Sequence, residues 1–270
     1  MHSFKRIVCL AKFELVRLFL TKRGALALAA FATAWFLILY YLVSSAATIV
    51  TSAAFQEMAK QMFGMLGLSQ LLKWPVPEMA IYWLLSAYSF PVFALFAASD
   101  QTCSDRTRGT LRFISLRASR SEIVIGRFFG QVMIIAILIF VTLLATSGMA
   151  TYRDSEIFIP ALMRSISLFG NLFIVVLPFI AFMSFINSFI RSSRLSLIVC
   201  SLFFGLGPLV IGLLEYNIGA TTYLDYLLPG VQISDMLGQE KIIWSHFSIP
   251  LMQTAFYLVL ADLTMKRSAL

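Results

Sequence analysis

Charge is scarce in this chain. Only 13% of its 270 residues are Asp, Glu, Lys or Arg while 60% are hydrophobic, and mean hydropathy is +0.87; soluble domains carry about a quarter charged and about half apolar residues. A soluble globular domain is excluded, and the composition is that of an integral membrane protein. Histidine is scarcer still: His2 and His246 are too few for multi-haem ligation or an H-E-x-x-H metalloprotease helix. His246 has no acid within four residues, which removes the His-with-carboxylate constellation of a lipid-acting enzyme. Cys9, Cys103 and Cys200 are far apart and signal neither a zinc site nor a disulfide framework. No G-x-x-x-x-G-K-[ST] occurs, so ATP has no P-loop to bind here and no cofactor site is expected in the chain.

The charges that exist are bunched, and the gaps between them locate membrane spans, because about 20 apolar residues cross the hydrocarbon and a charge at its centre is costly. Six gaps are long enough, predicting an all-α fold with spans at about 24–46, 79–99, 123–148, 165–190, 195–214 and 246–263. The first apolar run exceeds the 7 to 15 residues of a signal-peptide h-region, so a retained span is expected. With both termini in the cytosol, sixteen of the twenty-one Lys and Arg residues fall inside, while eight of the thirteen acids fall outside. That is the positive-inside pattern, and it accounts for the net charge of +8 better than a nucleic-acid partner does. No span carries a charge at its middle, which argues against a proton- or sodium-coupled carrier.

Residues 1–23 form a segment of their own ahead of the spanning region, 24–270. At 100° per residue Ile7, Val8, Leu10, Ala11, Leu15, Leu18 and Phe19 share one side and Lys5, Arg6, Lys12 and Arg17 lie largely opposite, the signature of a basic amphipathic helix in the headgroup layer. Glu14 breaks the pattern by falling on the apolar side, where a carboxylate needs a cation or several donors; the arginine-rich loop after the second span is the expected source. That loop, Asp100 to Arg127, with 100–122 as its coupling part, holds Asp105-Arg106-Thr107-Arg108-Gly109-Thr110-Leu111-Arg112-Phe113-Ile114. Two readings stay open for it: positive-inside anchoring, or docking of a soluble protein with Leu111, Phe113 and Ile114 as contact area. Ser119-Arg120-Ser121-Glu122 fits a capping box opening the third span, and Gly126 with Gly130 would let another backbone approach closely.

Tyr82, Ser86, Ser89 and Phe93 in the second span, with Asn171, Cys200 and Ser201 at depth elsewhere, suit either a pathway wall or interhelical hydrogen bonding. Met58, Met62 and Met65 suggest either a Cu(I) site or an apolar face.

These features together resemble the permease subunits of type-2 ABC transporters. Phe13-Glu14-Leu15 ahead of Lys22-Arg23 is similar to the family's elbow motif, with Lys12 one residue early. Asp100, Asp105-Arg106, Gly109-Thr110-Leu111, Arg120 and Gly126-Arg127 follow its pattern after the second span, and Leu228-Pro229-Gly230 with Asp235 resembles its outer segment. Arg117 stands where the family usually has proline and Arg127 where it has lysine. The resemblance implies a non-catalytic, multi-pass subunit of the bacterial cytoplasmic membrane that forms half of an exporter's pathway. It implies two permease chains, identical or homologous, and two separate cytoplasmic P-loop ATPases carrying ATP and Mg. Residues 105–116 then look like the coupling helix, with Asp100, Asp105, Arg106, Gly109, Thr110, Leu111, Arg112, Phe113, Ile114 and Arg120 as coupling residues, and Glu14, Lys12 and Arg17 as elbow residues. An uncharged, aromatic-rich interior favours a hydrophobic or amphipathic cargo such as a drug, lipid or peptide. The competing readings are a stand-alone secondary carrier and a membrane anchor or sensor for a soluble partner.

Overall fold

The structure, a computed structural model, describes residues 2–45, 52, 74, 76–218, 224–237 and 245–267. Met58, Met62 and Met65 lie outside the described residues. Those described form helices and turns, with no strand among them. In chain order the helices are α1 (His2–Phe19), α2 (Lys22–Leu37, continued by a π-helical turn Ile38–Val43), α3 (Pro77–Ala98), α4 (Cys103–Thr107), α5 (Thr110–Ser115), α6 (Arg120–Arg153), α7 (Phe158–Phe189), α8 (Ser193–Ile218), α9 (Ile233–Leu237) and α10 (Ser245–Arg267). Six of them, α2, α3, α6, α7, α8 and α10, are long and apolar enough to cross a membrane.

Each spanning helix reads its two faces from its sequence. On α6, Phe129, Met133, Ile137, Phe140 and Leu144 recur at helical spacing and are exposed, while Ile134, Ile135, Leu138, Ile139 and Thr142 face inward, so lipid rather than water is the solvent of the outer stripe. The helices outrun the charge gaps that mark them: α6 has 34 residues, about 51 Å at 1.5 Å per residue, because a helix continues past the hydrocarbon through its polar ends. Its start is fixed by Ser119, whose Oγ accepts from Glu122 N at 3.2 Å while Glu122 Oε2 accepts from Ser119 N at 2.8 Å, a closed capping box.

The central helix is α7, packed on α3, α6, α8 and α10. Its buried row of Leu172, Val175, Val176, Phe179, Ile180 and Met183 forms the middle of the core. By contrast α2 and α8 are peripheral: 61% of the apolar stretch of the fourth span is buried, but 17% of the first and 6% of the fifth. α2 holds to α3 through aromatic rings, Phe31 on Phe93 at 4.5 Å and Trp35 on Phe90 at 5.1 Å. α8 touches α7 through Phe203 on Phe182 at 4.6 Å.

Between the fifth and sixth spans, residues 224–237 fold back onto the bundle. Gln253 on α10 donates to the carbonyls of Tyr226 at 2.7 Å and Leu228 at 3.1 Å, and Tyr257 donates to that of Leu227. At the same end of the bundle Arg153, closing α6, grips Glu78 in the first turn of α3 with Nε–Oε1 2.5 Å and Nη2–Oε2 3.3 Å.

Candidate coupling site at the basic end of the bundle

The opposite end carries α1, the two short helices α4 and α5, and the ends of α6, α7 and α10. Its organising contact is the crossing of α1 over α6. A Cβ on Gly126 would lie 2.7 Å from Leu10 Cβ, and one on Gly130 would lie 2.7 Å from Glu14 Cβ. The two glycines, four apart, thus form the groove in which α1 lies. This crossing revises the picture of α1 with its whole apolar face on lipid. Ile7, Leu10, Ala11, Glu14 and Leu18 turn towards the bundle, whereas Phe4, Val8 and Phe19 are exposed.

Glu14 therefore sits at the centre of a protein contact, 2% exposed. Its partner is Arg127, 1% exposed, whose Nη1 donates to Glu14 Oε1 and whose Nη2 donates to Asp105 Oδ2. Gln131, one turn along α6, donates to Glu14 Oε2 at 2.9 Å, and the Phe13 ring lies under Arg127 at 5.8 Å. Arg17 approaches Glu14 at 3.7 Å and binds Asp100 at both its carboxylate, 2.6 Å, and its carbonyl, 2.9 Å. Burial pushes the Glu14 carboxyl above its ordinary range, opposed by the Arg127 and Arg17 guanidiniums and the Gln131 amide. Three carboxylates and two guanidiniums thus join α1, the loop after α3 and α6 in one network. Low local dielectric makes it strong when complete and costly when broken.

The loop itself is pinned on its other side to α7 and α10. Thr102 Oγ1 donates to Asn187 O at 2.9 Å, Asn187 Nδ2 to Ala98 O at 2.7 Å, and Ser184 Oγ to Gln101 Oε1 at 2.8 Å. Arg106 reaches Ser188 O and Met265 Sδ, and Arg120 Nη1 donates to the carbonyls of Met265 at 2.9 Å and Lys266 at 2.6 Å in the last described turn of α10.

The segment expected as one helix over 105–116 is two. Gly109, at φ +71°, ends α4 and precedes α5, a left-handed conformation that glycine adopts without steric cost. Thr110 Oγ1 binds Asp105 Oδ1 at 2.9 Å across the break. Leu111, expected as contact area for a partner, is instead 1% exposed and packs with Ala118, Ile123, Val124, Ala261 and Met265, with Ile114 partly buried against them. The reason is that an apolar row at 111, 114 and 118 is what closes the core beneath the short helix. The apolar surface left outside is Phe113, 73% exposed, and Leu116, 82% exposed, beside exposed Arg112 and Arg117. Lys12 is likewise exposed on α1.

The residues singled out at membrane depth are not gathered in one place. Tyr82 is fully buried and hydrogen-bonded to Thr142 Oγ1 at 2.9 Å, and Ser86 donates to Trp83 O at 3.1 Å. Phe93 packs on Phe31, Ser89 is half-buried and Asn171 is buried on α7. Cys200 and Ser201 line a cavity of about 390 Å³ together with Tyr88, Phe96, Phe179 and Phe204, between α3, α8 and residues 229–233. From sequence Arg127 stood out only as a substituted lysine, and Gln131 and Gln101 did not stand out at all; the i, i+4 repeat of Arg127 and Gln131 beside that of Gly126 and Gly130 was the available signal.

Six apolar helices around α7 define a multi-pass helical membrane protein. Residues 85–259 match the family described as ABC-2 family transporter protein, well over half of the chain. The chain belongs to that family, whose members are membrane transport subunits. No curated protein matches it.

Proposed function

We propose that this chain is the membrane-spanning subunit of an ATP-driven exporter, coupled to a separate cytoplasmic ATPase through α4 and α5. The observation that carries the reading is the contrast within that loop. Phe113 and Leu116 stand out from the surface, while the base beneath them is tied by buried ion pairs to α1 and α6. An exposed apolar tip on a stiff base is what a docking element needs to pass motion into spans.

On this reading both termini and the basic end lie in the cytosol, as the distribution of lysine and arginine favours. α1 then lies as an elbow at the cytoplasmic surface of a bacterial inner membrane, its exposed Phe4, Val8 and Phe19 in the headgroup layer and Lys12 towards anionic lipid. The thin burial of the first and fifth spans supports a second permease chain, identical or homologous, because helices with so little packing inside the bundle have surface to give to another. The aromatic lining around Cys200 and Ser201 supports a hydrophobic or amphipathic cargo, such as a drug, lipid or peptide.

The test is purification of the tagged protein from its native membrane in mild detergent, with mass spectrometry and an ATPase assay on the eluate. A stoichiometric P-loop ATPase is expected, and its reproducible absence overturns the reading. Gly109→Pro with Phe113→Asp is expected to abolish that co-purification while leaving membrane insertion intact, since proline cannot adopt positive φ and a carboxylate does not replace an apolar contact. Normal co-purification of the double variant would sink the docking assignment.

A further inference from the structure

At the base of the α4–α5 loop is a polar cavity of about 370 Å³, whose lining includes Arg106, Thr107, Arg108 and Arg112 from the loop and Arg191 from the turn between α7 and α8. Charge accounting around it decides what it can hold. The basic end has five acids, and each already has a cation within the chain. Glu14 and Asp105 pair with Arg127, Asp100 with Arg17 at 2.6 Å, Glu122 with Arg6 at 3.4 Å, and Asp262 with Lys266 at 2.6 Å. Among the described residues no ion pair engages Arg108, Arg112 or Arg191. Three guanidiniums converging on one cavity without a carboxylate between them call for an anion from outside the chain.

The depth of the cavity selects the kind of anion. α7 ends at Phe189 and α8 starts at Ser193, so Arg191 lies in a three-residue turn between two spanning helices and is held at the membrane surface. Phe189 and Leu195 on either side of it are 48% and 49% exposed, as lipid-facing residues would be. Arg106, on the loop side, reaches Ser188 O at the last turn of α7. The cavity therefore opens at headgroup level, beneath the docking tip rather than on it. Guanidinium forks match phosphate oxygens two at a time, and basic pockets between spans on the cytoplasmic side are suited to anionic headgroups.

We infer that this cavity binds the phosphodiester headgroup of an anionic phospholipid from the cytoplasmic leaflet, bracing the α4–α5 loop against the turn between the fourth and fifth spans. The assignment rests on the proposed topology, which puts this end of the bundle in the cytosol, but not on ATPase docking, and lipid retention is read on the permease alone.

The experiment is native mass spectrometry of the delipidated full chain titrated with phosphatidylglycerol or phosphatidylcholine, with and without inorganic phosphate. Phosphatidylglycerol is expected to be retained in preference to phosphatidylcholine. Arg191→Gln should lower its retention roughly fivefold, and Arg108→Gln with Arg191→Gln roughly twenty-five-fold, the effect of one basic residue at an anionic surface taken once and twice. Arg191→Lys, which keeps the charge but gives up the planar fork, should fall between the parent and Arg191→Gln. Arg194→Gln removes the same charge from the neighbouring turn of α8, outside the cavity, and should also change retention less than about twofold. Equal losses in Arg191→Gln and Arg194→Gln would overturn the site, showing a general surface attraction. Displacement of the lipid by millimolar inorganic phosphate would overturn the lipid assignment in favour of soluble phosphate esters. Loss of ATPase co-purification with unchanged lipid retention in Arg108→Gln with Arg191→Gln would overturn it in favour of a partner carboxylate.

Discussion

Replacing Arg127 by methionine tests the ionic network at its centre. Methionine fills much of the arginine's volume but leaves Glu14, 2% exposed, with Gln131 at 2.9 Å and Arg17 at 3.7 Å as its remaining partners. Stranding one member of a buried pair costs about 3–5 kcal/mol. Glu14 can limit the loss by taking up a proton. For a carboxyl with an unfolded pKa of about 4.3, protonation at pH 7 costs about 3.7 kcal/mol at 1.36 kcal/mol per unit. The expected loss is therefore about 3–4 kcal/mol at pH 7, a fall in melting temperature of about 10 °C for a chain of this size. The sign of the pH dependence follows from the raised carboxyl. Its contribution to stability is fully present below the unfolded pKa and is lost as pH rises through the folded pKa. Removing Arg127 raises that folded pKa further, so the deficit of the variant should shrink as pH falls from 7 to 5. Tryptophan fluorescence melts of the purified chain, which has four tryptophans, measure this directly. Adding Glu14→Gln should recover at least half of the loss and flatten its pH dependence. A variant that melts with the parent at pH 7, or whose deficit widens on acidification, refutes the reasoning.

Two further predictions address packing. Gly130→Val pushes a side chain into Glu14 Cβ, 2.7 Å from where its own Cβ would stand, and should cost about 1–3 kcal/mol. Gly148→Ala, on the same helix with nothing within 4 Å, should be neutral or raise stability by up to about 1 kcal/mol; equal melting shifts in the two variants would rule out the close crossing. At the other end of the bundle, Arg153→Ala unpairs Glu78 and should lower stability by about 1 kcal/mol, a figure discounted because Arg153 is 40% exposed. ATPase co-purification should be unaffected, and its loss would show that the two ends are not separable.

The spans were legible because a membrane penalises charge so strongly that a long uncharged run in so apolar a chain marks a crossing. The basic end was legible in part. Glu14 announced itself as a misfit on an apolar face, but its partner is 113 residues away, and the local sign at Arg127, its i, i+4 repeat with Gln131 beside Gly126 and Gly130, does not name Glu14 as that partner. The loop failed differently. Leu111, Ile114 and Ala118 form one apolar row, while Phe113 and Leu116 form another, and in a helix of six residues periodicity does not say which row turns inward. That choice is made by Ile123, Val124, Ala261 and Met265, contributed by helices that the loop's own sequence does not encode. Tyr82 and Ser86 share the difficulty: a hydroxyl at membrane depth seeks a partner, and the nearest were Thr142 and the backbone of Trp83.

The distribution of anchors also bears on what can move. Helices of five and six residues are not stable alone, so α4 and α5 owe their shape to Leu111 beneath them and to charge-assisted bonds from Asp105 to α6 and from Arg106 to α7 and α10. On the proposed reading, a displacement applied at Phe113 and Leu116 is carried into those long helices as a unit, because breaking the buried pairs costs more than shifting a helix against lipid. α1 must follow, since Glu14 and Asp105 share the two arms of one guanidinium. No comparable tie reaches the body of α8 among the described residues, and its contact with the bundle is chiefly a row of stacked phenylalanines on α7. α8 is also one wall of the cavity that holds Cys200 and Ser201. The span least fastened to the driven set is thus the one whose relative displacement would change that cavity's volume.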